Sequence, residues 1–196
     1  MPILDDYLGA GDGFDRIVTS LRPDQWDDPS ACTEWTARDV LGHVVWGQEM
    51  VAHLAPGLTH DSQAGAPGAP HPGQLIIDSP VERWRSARAS ATATLTPDAL
   101  DRIVTLRAFG QVPLATFLQA LTVDFLAHAW DIGHPAGLDV RLDPALVDRA
   151  LVWSRQHDLR APGGLGPEQP APAGADEQTR LLAFLGRRPV PVSTHG

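Results

Sequence analysis

The sequence predicts an all-α fold, a four-helix bundle with long crossover connections and short C-terminal helices. Three observations predict it. Apolar residues recur at three- and four-residue spacing through several long segments. Helix-start signals (Thr36, Ser79-Pro80, Asp143-Pro144) stand where such segments begin. Of the breaker residues, 18 Gly and 18 Pro, 16 gather in residues 56–73 and 162–174, between the helical segments.

The elements follow in order. Leu4, Tyr7, Leu8, Phe14, Ile17, Val18 and Leu21 fall at helical spacing and predict a first helix over residues 3–21. Glycines at 9, 11 and 13 weaken it, and no strand precedes them, so they form no nucleotide loop. Residues 22–35 are a polar connection. Thr36, with Asp39 three residues on, caps a second helix that runs to Leu54. The first breaker-rich loop follows, near residues 56–78. Ser79-Pro80 opens a third helix ending near Leu95. Residues 102–107 read as a short strand or an extended linker. A fourth helix spans Pro113 to Ile132 and stops before Gly133 and Pro135. A fifth begins after Asp143-Pro144 and reaches Gln156. A second breaker-rich loop, 161–175, leads to a last short helix over 176–185. There is no internal repeat.

Composition excludes several classes. A single cysteine, Cys32, rules out an intramolecular disulfide framework and a multi-cysteine zinc site. No basic segment precedes an apolar run at the N-terminus, so no secretory signal is expected. The most apolar stretch, Val112 to Trp130, holds Pro113, Gln119, Asp124 and His128, which marks a buried helix, not a membrane span. A net charge of −9 disfavours nucleic acid as a partner.

The chemistry lies on two helices. On a helical wheel of the second, Val40, Val44, Gly47, Met50, Val51 and Leu54 share one face, with Arg38, Asp39, Glu49 and His53 opposite. His43 lies on the apolar face. On the fourth helix Phe117, Leu121, Phe125 and Ile132 form an apolar face, and Asp124 and His128 project from it four residues apart. A carboxylate buried there requires a partner, a proton or a metal. Two readings stay open: a plain hydrogen-bonded pair of Asp124 with His128 or His43, and a metal site with His43, Asp124 and His128 as three N/O ligands and open positions for water or substrate. Cys32 has no base beside it in sequence and reads as a small apolar residue. Trp35 and Trp130 read as packing residues. Asp131 is positioned to orient a ligand or to cap the helix. His60, His71, His134, His157 and His195 fall in loops or near ends and are expected to be solvated.

Residues 29–43 (PSACTEWTARDVLGH) and 124–131 (DFLAHAWD) resemble the two signatures of the mycothiol-dependent maleylpyruvate isomerase N-terminal-domain family, part of the DinB/YfiT-like metal-binding superfamily. Residues 180–187 (RLLAFLGR) resemble the end of a short actinobacterial branch. The resemblance implies one DinB-like bundle over residues 1–196, too short for the second domain of the enzyme that names the family. It implies that His43, Asp124 and His128 bind a divalent metal, zinc or nickel, with water completing the shell. It further implies mycothiol as a co-substrate, transferred to a small electrophile, in a cytoplasmic monomer or homodimer. The alternatives are a non-catalytic metal binder or partner subunit, and a metal-dependent isomerase or hydrolase that uses no thiol. A non-haem iron oxygenase fits the same donor set.

Overall fold

The structure, a computed structural model, describes residues 2–107, 109–157, 160 and 165–188. It is mostly helical. The helices are α1 (Pro2–Ser20), α2 (Ala37–Leu54), α3 (Pro80–Thr94), α4 (Leu114–Gly133), α5 (Pro144–Gln156) and α6 (Glu177–Phe184). Beside the helices stands one small antiparallel hairpin, β1 (Ile103–Leu106) with β2 (Gly110–Pro113), in which Val104 faces Val112. Residues 102–107 therefore resolve as a strand. Its partner escapes sequence reading because Gly-Gln-Val-Pro carries neither alternation nor strand propensity. Gly110 turns the hairpin with φ of 68°, a conformation that favours glycine.

The helix starts form as their signals direct. Thr36 Oγ1 accepts from the Asp39 amide at 3.1 Å, and the Asp39 carboxylate accepts from the Thr36 amide at 3.0 Å, a reciprocal capping box. Ser79 caps α3, with Pro80 as its first residue. Asp143 caps α5, accepting from the Ala145 and Leu146 amides.

Two compact units divide the chain, Met1–Arg141 and Leu142–Gly196. In the first, α1 packs on α4 and α3, and α2 packs on α3 and α4. Phe14, Trp84 and Phe125 meet at ring-centroid distances of 5.0–5.9 Å, and Tyr7 lies 5.5 Å from Phe125. These buried rings dominate the centre of the core. Gly47 is where α2 closes on α4: a Cβ there would lie 3.0 Å from Leu121 Cδ2. In the second unit α5 packs on α6, and the Leu142 amide donates to Gln178 Oε1 at 2.9 Å.

One departure bears on the site. Residues 40–48 of α2 are buried without interruption, so this half of the helix has no solvated face. Met50 and Leu54, expected in the core, are half-buried. The covering is the breaker-rich loop. It lies against α2 so closely that a Cβ on Gly42 would sit 2.1 Å from the Pro72 carbonyl oxygen, and one on Gly65 would sit 2.2 Å from Trp46 Cβ. Gln48, in this enclosed stretch, accepts a hydrogen bond from the Tyr7 hydroxyl. Burial pushes the Tyr7 pKa up, against the opposing effect of that bond.

Candidate metal centre

His43, in the second turn of α2, and Asp124 and His128, one turn apart on α4, come together. Their donor atoms all lie within 4.8 Å of one another. The imidazoles meet edge to face, with ring centroids 5.2 Å apart. Both histidines are buried, but the Asp124 side chain is 38% exposed. The expectation of a buried carboxylate is thus corrected: Asp124 sits at the open side of the cluster and keeps part of its hydration.

Hydrogen bonds set the tautomer of each ring. His43 Nδ1 lies 2.6 Å from the Gly65 carbonyl oxygen. A carbonyl only accepts, so Nδ1 carries the proton and Nε2 presents a lone pair. His128 Nδ1 lies 2.8 Å from Asp131 Oδ2, and Asp131 is fully buried. With the carboxylate ionised, that ring also carries its proton on Nδ1. Such a backing acceptor fixes a ring and raises the basicity of the opposite nitrogen. Asp131 therefore takes the orienting place the sequence offered it.

His43 Nε2 stands 3.7 Å from Asp124 Oδ2, beyond hydrogen-bond reach. A simple His43–Asp124 hydrogen bond is absent. Bonds of about 2.1 Å to a tetrahedral cation place two donors about 3.4 Å apart, so this gap suits a bridging divalent ion. The donor set, two imidazoles and a carboxylate, has the composition of an open N/O site.

The first breaker-rich loop builds the wall. The Trp46 indole donates to the Ser62 carbonyl at 2.7 Å, and the Trp35 indole donates to the Ala69 carbonyl at 3.0 Å. The Gly73 amide donates to Asp39 Oδ1 at 2.9 Å. Trp35 and Trp46 flank His43 at ring distances of 5.3 and 6.1 Å. Sequence reasoning treated Trp35 as packing alone; its indole also pins the loop. Trp130 is buried and stacks on His134 at 4.7 Å.

Two further expectations are corrected. The His60 side chain is 8% exposed, enclosed by Trp46 and His53. Burial and His53 push its pKa down, against the pull of Glu49. His157 stacks on Trp153 at 4.1 Å, His71 is exposed, and His195 lies outside the described residues. Cys32 is no apolar filler: its thiol donates to Asp131 Oδ2 at 3.1 Å.

Residues 8–133 match the family described as mycothiol maleylpyruvate isomerase N-terminal domain. An uncharacterized protein of Mycobacterium tuberculosis strain H37Rv is 32% identical over 183 residues, covering 91% of this chain and 93% of its own length. A second uncharacterized protein of that strain is 24% identical over 81 residues, 41% of this chain and 32% of its own length. Among solved structures, a mutant of the mycothiol-dependent maleylpyruvate isomerase superposes with a TM-score of 0.60. It is 16% identical, and the match covers 77% of this chain and 68% of that one.

Proposed function

Because the chain belongs to the mycothiol maleylpyruvate isomerase N-terminal domain family, we propose that it is a metal-dependent enzyme that adds or transfers a low-molecular-weight thiol, mycothiol, to a small electrophile. His43, Asp124 and His128 would hold a divalent cation, zinc or nickel, in a DinB/YfiT-like four-helix bundle. The protein would act in the cytoplasm as a monomer or homodimer. The observation that carries this reading is the pair of Nδ1 contacts, to the Gly65 carbonyl and the Asp131 carboxylate. Gly65 and Asp131 each take an Nδ1 proton, so both Nε2 lone pairs are available to one cation.

A divalent cation at this position would favour the thiolate form of a bound thiol and polarise an electrophilic carbonyl. The chain supplies the rest. The partly exposed Asp124 side leaves room for a small molecule to approach, while Trp35 and Trp46 form apolar walls beside His43. Asp131 holds the His128 proton on Nδ1, so that ring remains an Nε2 donor. Among the described residues no helix is long and apolar enough to cross a membrane.

Elemental analysis of protein purified without chelator is the first test. Stoichiometric metal in the wild type and its loss in His128→Ala are expected; a metal-free wild type would overturn the reading. Turnover of electrophiles with and without mycothiol then separates thiol transfer from a thiol-independent isomerase or hydrolase. A metal-loaded protein inactive in every pairing would point to the non-catalytic binder.

A further inference from the structure

The opposite edge of the His128 ring faces a second set of donors. Cys32 lies in a tight turn closed by the Trp35 amide on the Cys32 carbonyl at 3.1 Å. Glu34 takes a left-handed backbone there, with φ of 72°. The neighbouring Ala31 amide donates to the Asp131 carbonyl at 2.9 Å, fastening the turn to the end of α4. Cys32 Sγ is thereby held 3.1 Å from Asp131 Oδ2 and 3.9 Å from His128 Nδ1, while Nδ1 and Oδ2 are 2.8 Å apart.

We propose that Cys32, His128 Nδ1 and Asp131 form a second metal site, selective for a soft, thiolate-preferring divalent cation such as Cd2+. A tetrahedral zinc ion, with metal–sulfur bonds near 2.3 Å and metal–nitrogen or metal–oxygen bonds of 2.0–2.2 Å, sets its donors roughly 3.3–3.6 Å apart, and a larger soft cation sets them wider. The three observed separations reach the zinc range with shifts of about half an ångström, and a larger ion asks for correspondingly larger ones. A thiolate and a carboxylate together neutralise a divalent charge, which matters because Asp131 is fully buried. The sulfur selects for a soft ion, and the half-buried Cys32 marks the side from which the ion arrives.

Binding replaces two hydrogen bonds. The thiol proton leaves to solvent, and the ring proton moves from Nδ1 to Nε2. A neutral imidazole with its proton on Nε2 has no lone pair for the His43–Asp124 side. The two sites therefore exclude one another through a single ring. That exclusion rests on the proposed function; the soft-metal site itself does not.

Cadmium titration of chelator-treated protein, followed by the thiolate-to-cadmium charge-transfer band, tests the site. Cys32 is the sole cysteine, so the band reports it alone. The expected result is saturation at one ion per chain, a band that persists in His43→Ala, and affinity roughly tenfold or more weaker in Asp131→Asn. The cadmium NMR shift of the wild type should show one sulfur with nitrogen and oxygen donors, a reading that needs no variant to fold. No band in the wild type, or equal affinity in folded Asp131→Asn and His128→Ala, would overturn the site. Zinc binding in Cys32→Ser without a cadmium band in the wild type would sink this inference and leave the proposed centre standing. A cadmium band in a protein that takes up no zinc would do the reverse.

Discussion

Asp131 has no direct role in binding a metal through His43, Asp124 and His128, yet it decides which nitrogen of His128 is available. Replacing it with asparagine leaves an amide whose two ends can satisfy either tautomer, and it removes the charge behind the ring. Asp131→Asn is expected to weaken zinc binding by roughly 10–100-fold, measured by competition with a chromogenic chelator. Asp39 acts on the scaffold instead. Burial alone would raise its pKa, but bonds from the Thr36 hydroxyl and the Thr36 and Gly73 amides outweigh that and hold it below the ordinary carboxylate range. A carboxyl whose pKa is lower folded than unfolded stabilises the fold above its unfolded pKa. That contribution is lost as pH falls through the folded value. The stability gap between wild type and Asp39→Ala, measured in urea, should therefore be full at pH 6 and narrow between about pH 4 and pH 2.

At the scale of elements, the loop over residues 56–73 behaves as a strap. Its chain touches α2 at Gly42, Gly65 and Gly73, where side chains would collide. Gly65→Ala must lift the loop from Trp46 and lengthen the bond to His43. A loss of about 1–3 kcal/mol is expected from the overpacking, read by thermal unfolding, together with weaker zinc binding. The helices themselves were legible because their signals are local: Thr36 with Asp39, Ser79-Pro80 and Asp143-Pro144 each act within one turn. The convergence of His43, Asp124 and His128 was legible as well, since each interrupts an apolar face. The strap was not. Its glycines and prolines look like those of an exposed loop, and what docks it is main-chain carbonyls meeting Trp35, Trp46 and His43, which leave no side-chain pattern. The Cys32–Asp131 contact was hidden for a related reason, because it joins a turn to a helix end 99 residues away.

For the whole molecule, a ligand that binds only the folded state stabilises it by an amount that grows with the logarithm of its concentration relative to its dissociation constant. Zinc at a hundredfold excess over its dissociation constant should add about 2.7 kcal/mol, a rise of roughly 5–10 °C in Tm for a chain of this size. His43→Ala should sharply reduce that dependence on zinc concentration. If Tm shifts equally in wild type and variant, the stabilising ion sits elsewhere.

The Gly65 carbonyl carries one more implication. The group that orients His43 belongs to the peptide backbone, so replacing the loop's side-chain-bearing residues with alanine would leave it in place. Apart from its glycines, the segment would score as dispensable in such a scan. An amide-to-ester exchange between Gly65 and Ala66, which makes that oxygen a poorer acceptor while keeping every side chain, is the substitution that would expose its contribution.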